Sequence, residues 1–218
     1  MTTSQHAALY KFTFPKDTDE PMILLDLTDL HSGRTGNSSV VVDPNTGRIV
    51  GQASFEPSFG VGTYTAFVCT DFAGANIKDS GIFVDNRATA EVHQLVLPDK
   101  KMTNSFPLPG GAWVRFAVRS ESAVLARVGL SMISVDQACS NAEREIADFD
   151  SEKVKNDAQQ QWRQKLGSIR VSMDGIQDEG LLTSFFSGVY RTMISPQDYT
   201  GENPLWQSSE PYFDSFYW

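Results

Sequence analysis

The sequence has little cysteine and little histidine, which narrows the kinds of site that it can build. Its 218 residues include two cysteines, Cys69 and Cys139, and three histidines, His6, His31 and His93. Neither set has the spacing of metal ligands, so we expect surface or hydrogen-bonded structural positions for the histidines. Cys69 lies in a strand-like run and Cys139 in a helical one. We interpret both as small buried side chains, with a disulfide between them as the alternative.

Long apolar runs and an excess of basic residues are also missing. No stretch approaches the roughly 20 apolar residues that a membrane-spanning helix needs. The first residues lack the basic segment and apolar stretch of a signal peptide. The formal net charge is -9, from 27 acidic and 18 basic side chains. Such a chain is repelled by phosphates, which disfavours nucleic acid and anionic membranes as partners and leaves neutral ligands such as sugars.

The familiar catalytic motifs are absent as well. The sequence has no phosphate-binding glycine loop, no Gly-x-Ser-x-Gly elbow and no His-Glu-x-x-His zinc motif. Asp26 and Asp29 are close carboxylates near a turn, and we interpret them as turn-capping residues, with an acid/base pair as the alternative. We interpret Asp71, and Asp85 with Asn86, as turn or loop residues.

What is present, up to about Ile133, is the pattern of a β-protein. In "ALYKFTF", Leu9, Lys11 and Thr13 alternate with three aromatic side chains, as on a strand with one buried and one wetter face. The stretch "SSVVVDPNTGRIVGQASF" predicts a hairpin whose turn is 43–47. Several short strands separated by turns predict an antiparallel sandwich.

From Ser134 onward the apolar period is helical. Ser134 begins a capping box in which it accepts from the Gln137 amide while the Gln137 side chain reaches back. The spacing predicts one long amphipathic helix to Leu166, interrupted near 149–151, with a solvated polar face. A second helix over 178–194 has a wide apolar stripe that it cannot bury alone, which indicates the start of an all-α domain.

Two further features point towards carbohydrate. We interpret the aromatic side chains of the last segment as core residues seen out of context; the alternative is a sugar-stacking platform, with Trp206, Tyr212 and Trp218 as the candidate contacts. Asn37 stands in a glycosylation sequon, "NSS", which matters only if the chain enters a secretory compartment.

Several motifs, in order, resemble glycoside hydrolase family 92. The stretch "VLARVGLSMISVDQACSNAEREI" is similar to the region that joins that family's two domains, with Val128-Gly129-Leu130-Ser131 followed by Ser134-Val135. The segment from Trp162 to Val171 resembles its link to the catalytic domain, and "SFFSGVYRTMISP" resembles its first barrel helix. Upstream, "ALYKFTFP" and "MILLDLTDLHSG" resemble a strand pair of its N-terminal sandwich.

This resemblance implies a β + α fold. We expect a partial antiparallel β-sandwich over 1–133, a linker helix over 134–166 and the first elements of an (α/α)6 barrel over 167–218. It also implies an internal part of an exo-α-mannosidase that acts on mannose-containing glycans with inversion and with calcium. The implied acid, base and calcium ligands lie beyond Trp218, so we expect this chain alone to be inactive and assign it no catalytic or metal residue.

The family is often secreted, and the implied partner is the remainder of the parent chain. The alternative function is a non-catalytic sandwich module that binds a sugar or a protein. A truncated reading frame with no stable product is a third interpretation.

Overall fold

The computed structural model describes residues 1–15, 17–27, 34–57, 61–99, 108–117, 123–172, 178–195, 197–205, 208–211 and 213–214. The first eleven strands are β1 Thr2–Thr3, β2 Ala7–Thr13, β3 Met22–Asp26, β4 Arg34–Val42, β5 Ile49–Phe55, β6 Tyr64–Ala73, β7 Asn76–Val84, β8 Arg87–Thr89, β9 Gln94–Leu97, β10 Gly110–Ala117 and β11 Ala123–Ser131. They are followed by α1 Val135–Glu145, α2 Ser151–Leu166, α3 Glu179–Thr192, β12 Gln197–Asp198 and β13 Phe213–Asp214.

The strands form two antiparallel sheets that face each other, as the sequence predicts. The larger sheet has the order β1-β2-β11-β6-β5-β4-β9, and the smaller has the order β3-β10-β7-β8. Strands β12 and β13 form a separate short pair. Strands β10 and β11 are consecutive in the chain but lie in different sheets.

The core lies between the two sheets. Side chains of β4 and β5 in the larger sheet meet side chains of β10 in the smaller one, and Phe116 is fully buried there. Phe72 packs edge-on against Phe116, with ring centroids 5.2 Å apart. This inner layer supplies the apolar burial that stabilises the sandwich, through the buried residues Val40, Val42, Ile49, Ala112, Val114, Phe116 and Val124.

The predicted hairpin turn is confirmed between β4 and β5. The carboxylate of Asp43 accepts from the amide of Asn45 at 2.8 Å and from the hydroxyl of Thr46 at 2.9 Å. Gly47 has φ +68°, a conformation that costs glycine little. These local bonds fix the register in which Val42 pairs with Ile49.

The predicted interruption near 149–151 is confirmed, and it divides the predicted long helix into two helices, α1 and α2. Helix α1 ends at Glu145, Phe149 takes a positive φ of 54°, and the Asp150 carboxylate then caps α2. Ser134 caps α1 as predicted, accepting from the Gln137 amide at 3.0 Å. The Gln137 side chain does not reach back; it donates to Asn141.

Helix α3 begins after Asp178, whose carboxylate accepts from the amides of Gly180 and Leu181. No residue of α3 is buried, and its side chains Leu181, Phe185 and Tyr190 are 66%, 43% and 42% exposed. The ring of Tyr190 packs on Trp162 of α2, with centroids 4.7 Å apart. Within the described ranges, no helix is long and apolar enough to cross a bilayer.

Candidate functional site

The strongest concentration of buried polar side chains lies where β11 ends and α1 begins. We call it the junction cluster and define it as Ser4, His6, Ser131, Gln137, Asn141, Glu145 and Glu202. Three segments far apart in sequence meet there, namely the N-terminal residues, the β11–α1 connection and the loop that follows β12. The cluster therefore joins the sandwich to the helical part of the chain.

Glu202 is the centre of the cluster and is only 4% exposed. Its carboxylate accepts from the Ser131 hydroxyl at 2.6 Å, from the Met132 amide at 2.8 Å and from the Asn141 side-chain amide at 2.7 Å. The Gln137 side chain adds a longer bond at 3.4 Å. All four donors are neutral, so hydrogen bonds rather than an ion pair offset the cost of burying this carboxylate.

Asn141 extends the same network through α1. It is fully buried, and its Nδ2 donates both to Glu202 and to the backbone carbonyl of Leu130 at 2.9 Å. Its Oδ1 accepts from the Arg144 guanidinium at 2.8 Å. One amide thus links strand β11, helix α1 and the loop of Glu202.

The second carboxylate of the cluster, Glu145, holds the N-terminal segment. It accepts from the Ser4 hydroxyl at 2.7 Å, and from the amide and the ring Nδ1 of His6, both at 2.8 Å. Burial by itself raises the pKa of Glu145, but the bonds from His6 and Ser4 outweigh it and lower that pKa to about 2. The hydrogen bond to Glu145 raises the pKa of His6 above its ordinary value.

In this geometry the cluster holds three segments of the chain together. A carboxyl with a pKa near 2 is ionised at neutral pH and cannot serve as a proton donor there. The Glu202 oxygens are already engaged by donors on the protein. The expectation of a hydrogen-bonded structural histidine is confirmed for His6.

A second polar cluster fastens α1 to the larger sheet and corrects the interpretation of Asp71 as a turn or loop residue. Asp71 lies within β6 and accepts from Arg48 and from Arg127, each at 2.6 Å. Arg127 is 7% exposed; it also donates to the carbonyl of Ile146 at 2.8 Å, and its guanidinium lies 4.6 Å from the centroid of the Phe149 ring. The sequence gives no local signal for this pairing, because its members come from two strands, the β4–β5 turn and the α1–α2 connection.

The two cysteines form a disulfide, so their interpretation as free buried side chains is wrong. Cys69 of β6 and Cys139 of α1 are bonded, with Cα atoms 5.0 Å apart and a sequence separation of 70. Their alternating and helical patterns correctly placed each residue on its element. Only the packing of α1 across β6 brings the two together.

The candidate sugar contacts Trp206, Tyr212 and Trp218 lie outside the described residues, as do Asp29 and His31. Other predicted positions are described. Asp26 ends β3, and Asp85 occupies the turn between β7 and β8 with φ +55°, so its interpretation as a turn residue is confirmed. Asn37 is exposed on β4.

The described ranges contain no group of three or more His, Cys, Asp or Glu side chains that could hold a metal ion. A cleft of about 180 Å³ between the N-terminal segment and α2 is lined mainly by polar side chains, including Gln5, Asp157 and Gln161. Small-molecule sites usually start at about 300 Å³, so this cleft is too small for a sugar chain.

Comparison with known proteins identifies the protein family of this chain. The N-terminal domain of glycosyl hydrolase family 92 matches residues 1–131, and the catalytic domain of the same family matches residues 137–217. The first match alone covers more than half of the chain. This chain belongs to glycosyl hydrolase family 92, with the sandwich and the start of the catalytic domain in the order that the sequence predicts.

Individual relatives agree with this placement. The chain is 48% identical over 226 aligned residues to an uncharacterized secreted glycosidase of Arthroderma benhamiae, a match that covers all of this chain and 29% of the relative. The fold of the present chain is similar to that of an inverting family 92 mannosidase from Bacteroides thetaiotaomicron, with a TM-score of 0.71. The two are 20% identical over 89% of this chain and 24% of the other. A second α-mannosidase of that bacterium gives a TM-score of 0.76 at 13% identity, over 97% of this chain and 28% of the other.

The chain thus spans less than a third of the length of these relatives. At such low identity, the two solved structures establish the fold alone. They support the partial sandwich followed by the first elements of a helical catalytic domain.

Proposed function

We propose that this chain is a structural part of an exo-α-mannosidase that removes mannose from glycans with inversion. Support comes from the ordered match of both family domains, which is the observation that carries the proposal. Two neighbours in fold are named mannosidases, one of them an inverting enzyme, and one structure of the second holds mannoimidazole. The substrate class we propose is therefore a mannose-containing glycan or glycoprotein.

Inversion at a glycosidic carbon requires two carboxyl groups with different tasks. One protonates the leaving oxygen, while the other activates a water molecule on the opposite face of the sugar. Calcium would supply an oxygen-seeking cation that holds and distorts the sugar ring. Because Glu145 and Glu202 are engaged by donors of this chain, we give them positioning roles and assign neither the calcium nor the proton transfers to the described residues.

We divide the chain into a sandwich over 1–133, a linker over 134–166 and the start of the helical domain over 167–218. The junction cluster connects the first two parts to the third through Glu202. The exposed apolar side chains of α3 favour a further layer of helices as their cover, which we propose is the remainder of the parent chain.

We also propose that the protein is secreted. The Cys69–Cys139 disulfide is typical of an oxidising compartment, and the Arthroderma relative is named a secreted glycosidase.

The test is an α-mannosidase assay on two polypeptides: this chain alone and the longer parent protein that contains it. With calcium, we expect release of mannose by the parent and none by the 218-residue chain. Proton NMR of the first product formed should show the β-anomer from an α-mannoside. Matched α-glucoside and α-galactoside substrates control for specificity.

Two outcomes would contradict the proposal. Turnover by the purified chain alone, in proportion to its concentration, would contradict the structural role. A parent that binds mannosides without hydrolysing them would favour the non-catalytic binding module instead.

A further inference from the structure

Asn37 combines the sequon seen in the sequence with an exposed position in the fold. It lies on β4, at an irregularity where the pairing with β5 shifts register between Gly36 and Ser39. Its φ is +52°, a left-handed conformation that asparagine adopts more readily than most residues. The backbone conformation thus favours asparagine at this position, and modification depends in addition on whether its side chain is accessible.

The backbone at Asn37 is held firmly while its side chain remains accessible. The amide of Asn37 donates to Asp99 Oδ1 at 3.1 Å, and the same carboxylate lies so close to Gly36 that a Cβ there would be 2.3 Å from it. The side-chain oxygen of Asn37 accepts from Gln52 at 3.1 Å. Within the described part of the chain, the Asn37 Nδ2 atom donates no hydrogen bond.

The side chain of Asn37 points away from the core. Val40 and Val42 of the same strand point inward and are buried, whereas Val41 points outward and is 38% exposed. Gln52 pairs with Ser39 on this outer face and contacts Asn37 there. A bulky polar group on Nδ2 would extend into solvent without displacing core side chains.

We propose that Asn37 carries an N-linked oligosaccharide, with Ser39 as the hydroxyl residue of its sequon. The inference rests on the proposed secretion, because only the secretory pathway supplies the donor. In the transfer, Asn37 Nδ2 forms a C–N bond to the first sugar of a lipid-linked pyrophosphate oligosaccharide. The sugar–phosphate bond breaks, the lipid pyrophosphate leaves, and Nδ2 loses one proton. Asn37 is the one residue of the 218 in a sequon.

The experiment is cell-free translation of the full 218-residue chain behind a cleavable signal sequence, in the presence of endoplasmic reticulum microsomes. Only protease-protected chains are scored, so every scored chain has been translocated. We expect a single shift to higher mass that peptide N-glycosidase F and endoglycosidase H both remove.

Four variants separate a glycan from a structural asparagine. Asn37→Asp keeps the left-handed preference and the side-chain acceptor but removes the reacting nitrogen, and Ser39→Ala removes only the hydroxyl of the sequon. Both should abolish the shift. Ser39→Thr retains the sequon and should retain the shift, and Asn45→Gln, outside any sequon, should leave it unchanged.

Protected chains of normal mass would overturn the proposal, as would a shift that survives Asn37→Asp. A count of free thiols on the same protected chains reports the disulfide independently. A bonded Cys69–Cys139 pair without a glycan would remove this inference while leaving the proposed secretion and mannosidase function intact.

Discussion

At the scale of single residues, Glu202 shows how a buried carboxylate can be tied to a fold without a cation. Its three closest partners, Ser131, Met132 and Asn141, all present hydrogens to it. Glu202→Gln places an amide NH2 group against at least one of these donors. Because an unsatisfied buried donor costs roughly 1–3 kcal/mol, we expect the free energy of unfolding in urea to fall by about that amount.

The control for this substitution is Glu210→Gln, since Glu210 is exposed and should leave stability unchanged. Amide hydrogen exchange gives a local readout, because the Met132 amide should exchange faster in Glu202→Gln than in the native chain. Equal stability and equal Met132 protection in both variants would show that the Glu202 bonds contribute nothing.

The pair of His6 and Glu145 predicts a stability that depends on pH on both sides of a maximum. The pKa of Glu145 is lowered from 4.5 to about 2, so its contribution is complete above pH 4.5 and is lost as the pH falls towards 2. The pKa of His6 is raised above 6.5, so its contribution is complete below pH 6.5 and is lost as the pH rises through that higher pKa. Maximum stability from the pair therefore lies between about pH 4.5 and 6.5.

Urea unfolding measured from pH 3 to 9 checks this prediction. In Glu145→Gln both slopes should flatten, each by at most about 1.4 kcal/mol per pH unit for one proton. His6→Gln, which removes the other partner of the pair, should flatten the slope on the basic side. A profile for Glu145→Gln that parallels the native one on both flanks would exclude the pair as its source.

At the scale of elements, helix α1 lies unusually close to β11, and glycine permits the approach. A Cβ on Gly129 would be 2.1 Å from the carbonyl oxygen of Ala138 and 2.8 Å from the Ala142 side chain. Gly129→Ala must push α1 away from the sheet, so we expect a loss of about 1–3 kcal/mol in the free energy of unfolding.

Gly188→Ala is the matched glycine substitution and should have the opposite sign. Nothing lies within 4 Å of a Cβ at Gly188, which is exposed within α3. Alanine in a helix interior is favoured over glycine by about 0.5–1 kcal/mol, so thermal or urea unfolding should show a small gain or no change. If Gly129→Ala and Gly188→Ala changed the free energy of unfolding alike, close packing against α1 would not be the reason for glycine at position 129.

The elements also show which parts of the fold can be predicted from the sequence. The cap at Ser134, the start of α3 at Asp178 and the turn at Asp43 are local, because each is decided by residues two or three apart. The disulfide and the Asp71 ion pairs are not local. Cys69 and Cys139 meet only because α1 packs across β6, a contact that no short window of sequence contains.

The break between α1 and α2 depends partly on local and partly on non-local contacts. Asp150 gives a capping signal that marks the interruption near 149–151, but the positive φ of Phe149 is stabilised from outside, where the Arg127 guanidinium lies over its ring. Glu202 was not predicted for a similar reason. A single acidic residue in a polar loop gives no sign of burial until β11 and α1 surround it.

At the scale of the whole molecule, the apolar side chains of the sandwich are covered in a closed core, whereas the apolar side chains of α3 are not covered. The inner faces of the two sheets cover each other, whereas α3 buries none of its residues and packs its Tyr190 ring on Trp162 of α2. Removing apolar character from the outer side of α3 should therefore leave the sandwich folded. Leu181→Glu combined with Phe185→Glu is the direct test.

For this double variant we expect weaker fluorescence of a dye that binds exposed apolar surface, and less self-association in sedimentation, than in the native chain. The urea midpoint should stay within experimental error, because Leu181 and Phe185 are 66% and 43% exposed. Val61→Glu is the matched control: Val61 is 99% exposed but stands outside α3, so dye binding should be retained. Unchanged dye binding in the α3 variant would mean that this helix presents no adhesive surface, and the proposal that further helices cover it would lose its physical basis.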